Sequence, residues 1–282
     1  MARMITRLGA LAIGLALGLA ANTLLLKTET KPRLVTDQEP GPAKPLYEPT
    51  GTEGTITGTV AYSGKLPKRA LIDSSADPTC GKLVPGLFKE DTIITDGKLA
   101  NVFVYLKGEN LATYSFEPAT SLATLSHKNC NYQPHTLAIR AGQWLAIANQ
   151  DPTTHNTHAV PRLNPEWNQT RAAGSEPLIV SFKREELFVP LKDNQHPWEK
   201  AYIGVFSHPF FAISDEQGGF RITGVPPGRY LLVAWHERFG EQTTEITIAP
   251  GQSSQIDFSF RPATDSRSGV PTETMSCLTQ FD

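Results

Sequence analysis

The sequence predicts an all-β protein built from β-sandwiches. Apolar residues recur mainly at every second position, as at 102–106, where Val102, Val104 and Leu106 line one face and two aromatic residues line the other. This period of two is typical of strands with a buried face. Similar alternation predicts strands around residues 56–62, 137–139, 145–147, 178–182, 220–222, 231–235, 246–248 and 256–260. Glycine and proline number 22 each, which favours many turns, and only the segment 183–187, KREEL, is a candidate for a helical turn.

The N-terminus has the composition of an export signal. Arg3 and Arg7 precede an apolar run, residues 8–26, that is interrupted only by small residues, an asparagine and a threonine. Residues 1–26 are therefore predicted to be either a cleaved secretory signal or a retained membrane anchor. Both alternatives place the folded part outside the cytoplasm, in the periplasm or the extracellular space.

Composition also sets the limits of the folded region. Residues 27–51 are rich in proline and charge and predict an extended linker, whereas residues 262–282 predict a disordered tail. The net charge is −2 with both signs mixed throughout, so no basic stripe indicates a nucleic-acid partner. The predicted strands all fall between these two segments.

The segment from Ser214 to Phe260 contains GGFRI, GVPPGRY and PGQ in this order. These motifs resemble the second half of a carboxypeptidase regulatory-like domain, a small transthyretin-like sandwich. Two earlier segments, GTITGTVAYSG and LANVFVYLK, resemble its first half. The resemblance implies a discontinuous domain formed by residues 52–108 and 204–261, with residues 109–203 as an insertion. It implies a fold and says almost nothing about function.

The insertion carries a second resemblance. Its segment CNYQPHTLAIRAGQWLAIANQDPTTHNTH is similar to the central strands and first ligand loop of a cupredoxin, a copper-binding Greek-key sandwich. The resemblance implies that His155 is the first copper ligand. The later cupredoxin loop has the form Cys-x-x-His-x-x-Met, and here His196 matches its histidine. Asp193 stands in place of the cysteine and Glu199 in place of the methionine, so both sulfur ligands are replaced by carboxylates.

This replacement changes the metal chemistry that the resemblance implies. Two imidazoles with hard oxygen ligands suit Cu(II) in a colourless tetragonal site, or Zn(II), better than a copper ion that shuttles electrons. The predicted ligands are His155 and His196 with Asp193 or Glu199. His158, three residues after His155, either joins them or faces away. The alternative is a vestigial site that holds no cofactor.

The cysteines predict one disulfide. In an oxidising compartment Cys80 and Cys130 are expected to pair, because both lie inside the folded region. The alternative is two unpaired buried thiols. Cys277 lies in the polar tail, as a free or intermolecular thiol.

Three further residues form a second candidate cluster. His208, His236 and Glu237 are predicted near strand ends, where a His/His/Glu metal group is conceivable. The alternative is that the imidazoles pack under neighbouring aromatic rings such as Trp235 and Phe210.

No signature of an enzyme was found in the sequence. We therefore expect a non-enzymatic protein that binds copper or another divalent metal. One alternative is a surface module that binds carbohydrate or protein, and another is a periplasmic electron-transfer partner. The aromatic residues considered for sugar stacking are Trp144, Trp167, Trp198 and Trp235.

Overall fold

A computed structural model describes residues 44–262, and in this range the chain is all-β, as predicted. It contains 19 strands and two short helices. The elements are β1 (Gly54–Tyr62), α1 (Pro78–Leu83), β2 (Ile94–Thr95), β3 (Lys98–Leu99), β4 (Phe103–Lys107), α2 (Glu109–Ala112), β5 (Ala123–His127), β6 (Tyr132–Gln133), β7 (Thr136–Arg140), β8 (Leu145–Asn149), β9 (His155–Ala159), β10 (Trp167–Arg171), β11 (Leu178–Val180), β12 (Glu186–Lys192), β13 (Lys200–Phe206), β14 (Phe211–Ile213), β15 (Gly219–Val225), β16 (Gly228–His236), β17 (Gly240–Ile248), β18 (Ser253–Gln255) and β19 (Phe258–Phe260).

The predicted signal or anchor, residues 1–26, lies outside the described residues, as do most of the predicted linker and tail. Neither helix in the described range is long and apolar enough to cross a membrane. The described end of the predicted linker contacts the folded part. There the Tyr47 backbone N–H donates to the Ser115 carbonyl over 2.8 Å, and the Tyr47 ring packs against Tyr114 and Phe116.

The first sandwich encloses the largest apolar core. One of its sheets has the strand order β15-β1-β3-β2, with β18 and β19 also paired to β1. The facing sheet has the order β14-β4-β16-β17. Ile56, Phe220 and Leu232 are among the side chains buried between them. The centre of β1 requires Gly58, because a Cβ there would overlap the carbonyl oxygen of Ile256.

The second sandwich is formed by the middle of the chain. Its five-stranded sheet has the order β10-β9-β12-β13-β7, and its four-stranded sheet has the order β11-β8-β5-β6. Leu125 and Ile147 from the smaller sheet pack against Val189 and Ile203 from the larger one in a separate core. The strands that carry the candidate metal ligands, β5, β9, β12 and β13, all belong to this sandwich.

An aromatic cluster joins the two sandwiches. Phe103 and Tyr105, on the outer face of β4, pack with Phe206 of β13. Val104 lies on the opposite face of β4, in the first core. The two-faced strand predicted at 102–106 is thus confirmed, and both of its faces are buried.

The helical turn predicted at 183–187 is wrong. The segment contains no helical turn: residues 183–185 form an irregular connection and β12 begins at Glu186. The Glu186 carboxylate accepts the backbone N–H groups of Arg162, Leu163 and Asn164. These bonds fasten a neighbouring loop to the start of the strand, a tertiary contact that outweighs local helix propensity.

Candidate metal centre

The second sandwich contains a buried cluster of imidazoles and carboxylates. His155 is the first residue of β9, and His127 is the last residue of β5. Asp193, His196 and Glu199 lie in the short turn between β12 and β13. Each of these five residues is 3% exposed or less, so the cluster is closed to solvent.

The turn between β12 and β13 is organised by its own hydrogen bonds. Asp193 Oδ1 accepts the backbone N–H groups of Gln195 and His196, over 2.7 and 3.0 Å. The Glu199 N–H donates to the His196 carbonyl over 2.8 Å. An aspartate that accepts from the residues two and three positions on stabilises a tight turn. The turn thereby directs Asp193, His196 and Glu199 towards His155.

The two predicted imidazole ligands present Nδ1 to the same two carboxylates. His155 Nδ1 lies 3.0 Å from Asp193 Oδ2 and 3.1 Å from Glu199 Oε1. His196 Nδ1 lies 3.2 Å from the same Asp193 atom and 3.9 Å from the same Glu199 atom. Four ligands about 2.1 Å from a tetrahedral ion are separated by about 3.4 Å. The observed nitrogen–oxygen separations match this spacing.

The opposite nitrogen of each ring is held by an outer carboxylate. His155 Nε2 lies 3.0 Å from Asp151 Oδ2, and His196 Nε2 lies 2.9 Å from Asp77 Oδ2. Histidines that ligate metals characteristically donate their second ring N–H to such a partner, which sets the tautomer and the ring orientation. Both rings are therefore oriented with Nδ1 inward.

His127 is a third imidazole of the cluster, and the sequence analysis did not select it. Its Nδ1 lies 2.8 Å from Glu199 Oε2, and its Nε2 lies 2.8 Å from Thr157 Oγ1. The ring stacks on that of His155, with centroids 4.5 Å apart. The period of two in β5 could have identified this residue, because it places His127 on the same buried face as Leu125.

The metal-free cluster is held together by opposite charges. Burial lowers the pKa of His155, but its hydrogen bonds with Asp151 and Asp193, together with the nearby negative charge of Glu199, outweigh burial and raise the pKa to about 11. Burial likewise opposes the pKa rise of His196, which its bonds with Asp193 and Asp77 produce. Burial raises the pKa of Asp193, yet the bonds with the two histidines bring it well below its usual range. Without metal, these contacts favour the protonated form of both histidines.

One atom of this charged network lacks a hydrogen bond. Among the described residues no group donates to Glu199 Oε1, which is fully buried, although His155 Nδ1 lies 3.1 Å away. A buried carboxylate oxygen without a donor is destabilising. A divalent cation at this point would coordinate the oxygen and take the place of protons on the two Nδ1 atoms. The residues present therefore fit a divalent ion.

His158 does not join the cluster. Its Nε2 lies 2.7 Å from Glu166 Oε1 and its Nδ1 lies 3.3 Å from Asn194 Oδ1. Residues three positions apart on a strand point to opposite faces of the sheet. Because His155 faces inward, His158 on the same strand faces outward.

The second candidate cluster is not formed. His208 accepts the Phe210 N–H and stacks on the Phe210 ring, while Glu237 pairs with His135. His236 packs against Phe239, and burial lowers its pKa to about 3. Packing of the imidazoles under aromatic rings, the alternative considered from the sequence, is what the structure shows. The ring under His236 is Phe239, however, and not the adjacent Trp235.

The two cysteines expected to pair form a disulfide. Cys80 and Cys130 are bonded, with Cα atoms 5.8 Å apart, and both are fully buried. The bond connects α1 to the turn that follows β5. Cys277 lies outside the described residues.

The four tryptophans considered for sugar stacking have different surroundings. Trp198 packs against His196 and donates to the Cys130 carbonyl, whereas Trp235 stacks on a phenylalanine. Trp167 packs near Phe182. Trp144 is 55% exposed and lies under a lysine ammonium.

Fold and site together define an all-β protein with a buried histidine–carboxylate centre. Residues 192–261 match the family model of the carboxypeptidase regulatory-like domain. The match begins inside the segment assigned above to the insertion, and it covers only part of the chain. No curated protein matches this sequence.

Solved structures with partial similarity are copper proteins. A copper-containing nitrite reductase from Thermus scotoductus SA-01 is 15% identical with a TM-score of 0.29, covering 33% of this chain and 26% of its own. A reduced amicyanin variant is 16% identical with a TM-score of 0.28, covering 32% and 87%. A purple cupredoxin from Nitrosopumilus maritimus is 19% identical with a TM-score of 0.26, covering 30% and 99%. These similarities are too weak to carry a functional argument.

Proposed function

We propose that this chain binds one divalent metal ion, copper(II) or alternatively zinc(II), in the buried histidine–carboxylate centre. The observation that supports it is the shared orientation of two rings. His155 and His196 both turn Nδ1 towards Asp193 and Glu199 and both hold Nε2 against an outer carboxylate. This is the arrangement of metal-ligating histidines.

Each residue has a distinct role in this proposal. His155 and His196 supply the two nitrogen ligands, and Asp193 and Glu199 supply the oxygen ligands. A bound copper(II) ion would carry its double positive charge into the buried centre. It would have no thiolate ligand there. Such a hard-ligand centre suits metal binding and handling better than rapid electron transfer.

Burial of the centre supports a binding role, and the disulfide supports a location outside the cytoplasm. Because His155 and Glu199 are fully buried, no substrate reaches the centre without rearrangement, which favours a binding role over catalysis. A buried disulfide between Cys80 and Cys130 is typical of exported proteins. We therefore propose a non-enzymatic protein that functions outside the cytoplasm.

The test is a metal titration of the full-length chain, purified in mild detergent and stripped with a chelator. We expect one tightly bound ion per chain from Cu(II) or Zn(II), measured by elemental analysis after gel filtration. The double variant His155→Gln/His196→Gln should bind none. His158→Gln, on the same strand as His155 but outside the centre, should still bind one ion. Absence of bound metal in the wild type, or its retention in the double variant, would refute the proposal.

A further inference from the structure

The disulfide lies directly beside the metal centre. Cys80 Sγ lies within 4.8 Å of a ring nitrogen of His196, and Cys130 Sγ lies within 4.8 Å of a ring nitrogen of His155. Since the two sulfurs are bonded to each other, the two histidines flank a single pair of sulfur atoms. This places two soft donor atoms and two imidazoles within one small volume.

The sulfurs lie near the two outer carboxylates that hold the rings. Cys80 Sγ is also within 4.8 Å of an Asp77 carboxylate oxygen, and Asp77 bonds Nε2 of its histidine. On the other side, Cys130 Sγ is within 4.8 Å of an Asp151 oxygen, and Asp151 again bonds Nε2. Because Asp77 and Asp151 hold the Nε2 atoms, we infer that Nε2 is the ring nitrogen nearer the disulfide, whereas the carboxylates of the inner centre adjoin the Nδ1 atoms.

We propose that reduction of the Cys80–Cys130 disulfide creates a second metal site, in which the two thiolates and the Nε2 atoms of His155 and His196 bind Cu(I). Two thiolates with two imidazoles form a four-coordinate set for a soft or borderline ion. This site uses the Nε2 atoms instead of Nδ1, so binding of Cu(I) breaks their hydrogen bonds to Asp151 and Asp77. It therefore goes beyond the function proposed above and does not require the inner centre to hold metal.

The chemistry balances with a dithiol reductant. Thiol–disulfide exchange transfers two electrons and two protons to the protein disulfide, giving two thiols and oxidising the reductant to its own disulfide. Cu(I) then displaces the two thiol protons and takes the thiolates as ligands. Exchange with a small-molecule disulfide reverses the step: that disulfide accepts two electrons from the thiolates and two protons from water, becomes a dithiol, and leaves the Cys80–Cys130 bond restored and Cu(I) released.

The surroundings of Cys80 allow this exchange. The six-residue helix α1 carries Cys80, which belongs to a small apolar cluster with Ile72, Leu87 and Cys130 that is separate from both sandwich cores. Segments with few buried apolar contacts open locally at low free-energy cost. Opening of this segment exposes the disulfide while the two sandwiches remain folded.

The test compares Cu(I) binding by the oxidised and reduced protein without oxygen. The full-length chain with Cys277→Ser is used throughout, so that Cys80 and Cys130 are the only cysteines. Cu(I) is titrated against a chromogenic chelator. We expect the reduced protein to bind one equivalent more than the oxidised protein and to show an ultraviolet thiolate-to-copper band. Adding Cys80→Ser or Cys130→Ser should abolish the additional equivalent.

Equal Cu(I) binding in both redox states, or survival of the additional equivalent in the serine variants, would overturn the proposal. X-ray absorption of the reduced copper-loaded protein gives an answer that does not depend on how the variants fold. Sulfur and nitrogen neighbours of copper support the site, whereas sulfur alone contradicts it. The Cu(II) titration of the oxidised protein reports on the inner centre separately, so each proposal can fail without the other.

Discussion

His155 Nδ1 lies 3.0 Å from Asp193 Oδ2, and neither side chain is accessible to solvent. In the cupredoxin pattern that the sequence resembles, the position of Asp193 belongs to a cysteine. The two segments that resemble the cupredoxin ligand loops are therefore in contact here, with a carboxylate in place of a thiolate. An aspartate pairs either with a protonated imidazole or with a hard metal ion. Metal binding therefore competes with protonation of the ring and depends on pH.

Metal affinity should increase with pH. The pKa of His155 is raised to about 11, so its ring holds both protons at neutral pH, and the raised pKa of His196 favours its protonated form as well. A metal ion has to displace these protons, and each displaced proton contributes about tenfold in affinity per pH unit. We expect the release of one to two protons per ion, measured by calorimetry in buffers of different ionisation enthalpy. A constant affinity between about pH 6 and about pH 8 would contradict this.

Removing one carboxylate charge should weaken metal binding strongly. Glu199→Gln keeps a carbonyl oxygen for the bond to His127 but removes the negative charge beside His155. We expect metal affinity to fall by at least about 100-fold, because a neutral amide is a much poorer ligand for a divalent ion. Competition with a metal chelator measures this. Glu166→Gln, which alters the surface partner of His158, is the matched control and should bind as the wild type does.

Removing an outer carboxylate should lower metal affinity measurably, but by less than removing a ligand does. Asp77 holds His196 Nε2 and also caps α1 by accepting from the Thr79 N–H. Asparagine caps helices as well as aspartate does, so Asp77→Asn leaves the helix intact while weakening the hold on His196. We expect metal affinity to fall about 10- to 100-fold with little change in thermal stability. An unchanged affinity would show that His196 needs no outer partner.

His236 should make the protein sensitive to acid independently of metal. Burial lowers its pKa in the folded state to about 3, from 6.5 in an ordinary environment. The unfolded chain therefore binds the proton first as pH falls. This stability contribution is complete above about pH 6.5 and is lost progressively down to about pH 3.

At about pH 4.5 this effect should lower the free energy of unfolding by about 2–3 kcal/mol relative to neutral pH. His236→Gln removes the titrating group and should reduce the acid-induced loss by that amount, measured by urea unfolding at several pH values. His158→Gln serves as a control and should leave the pH dependence unchanged. If His236→Gln has the same pH dependence as the wild type, the histidine is not buried in its neutral form.

The alternation of residues along the sequence predicted the faces of strands, because these depend only on local sequence. The alternation in β4 correctly separated Val104 from Phe103 and Tyr105, because strand faces follow directly from a period of two. What buries the aromatic face could not be predicted, since Phe206 lies about a hundred residues away in the chain. The prediction of a helical turn at 183–187 was wrong for the same reason. The Glu186 carboxylate accepts hydrogen bonds from a loop that is separate from it in the sequence.

The prediction of the site has the same limit, because contacts between residues far apart in the chain could not be predicted. His155, Asp193, His196 and Glu199 were predicted from the resemblance to a cupredoxin, and the structure brings them together; whether they bind metal stays a prediction. Asp77 was not selected, because it reaches His196 across 119 residues of chain. Its place before Pro78 indicates a helix cap, but a cap signal does not say which side chain the second oxygen meets.

The central claim is that one metal ion lies between the two Nδ1 atoms. Crystals of the full-length protein soaked with Cu(II) and measured at the copper absorption edge test it most directly. We expect one anomalous peak about 2 Å from Nδ1 of both His155 and His196, with Asp193 or Glu199 completing the ligand set. A peak only at surface histidines such as His158, or no peak at all, would contradict it and leave the cluster as a metal-free network of ion pairs.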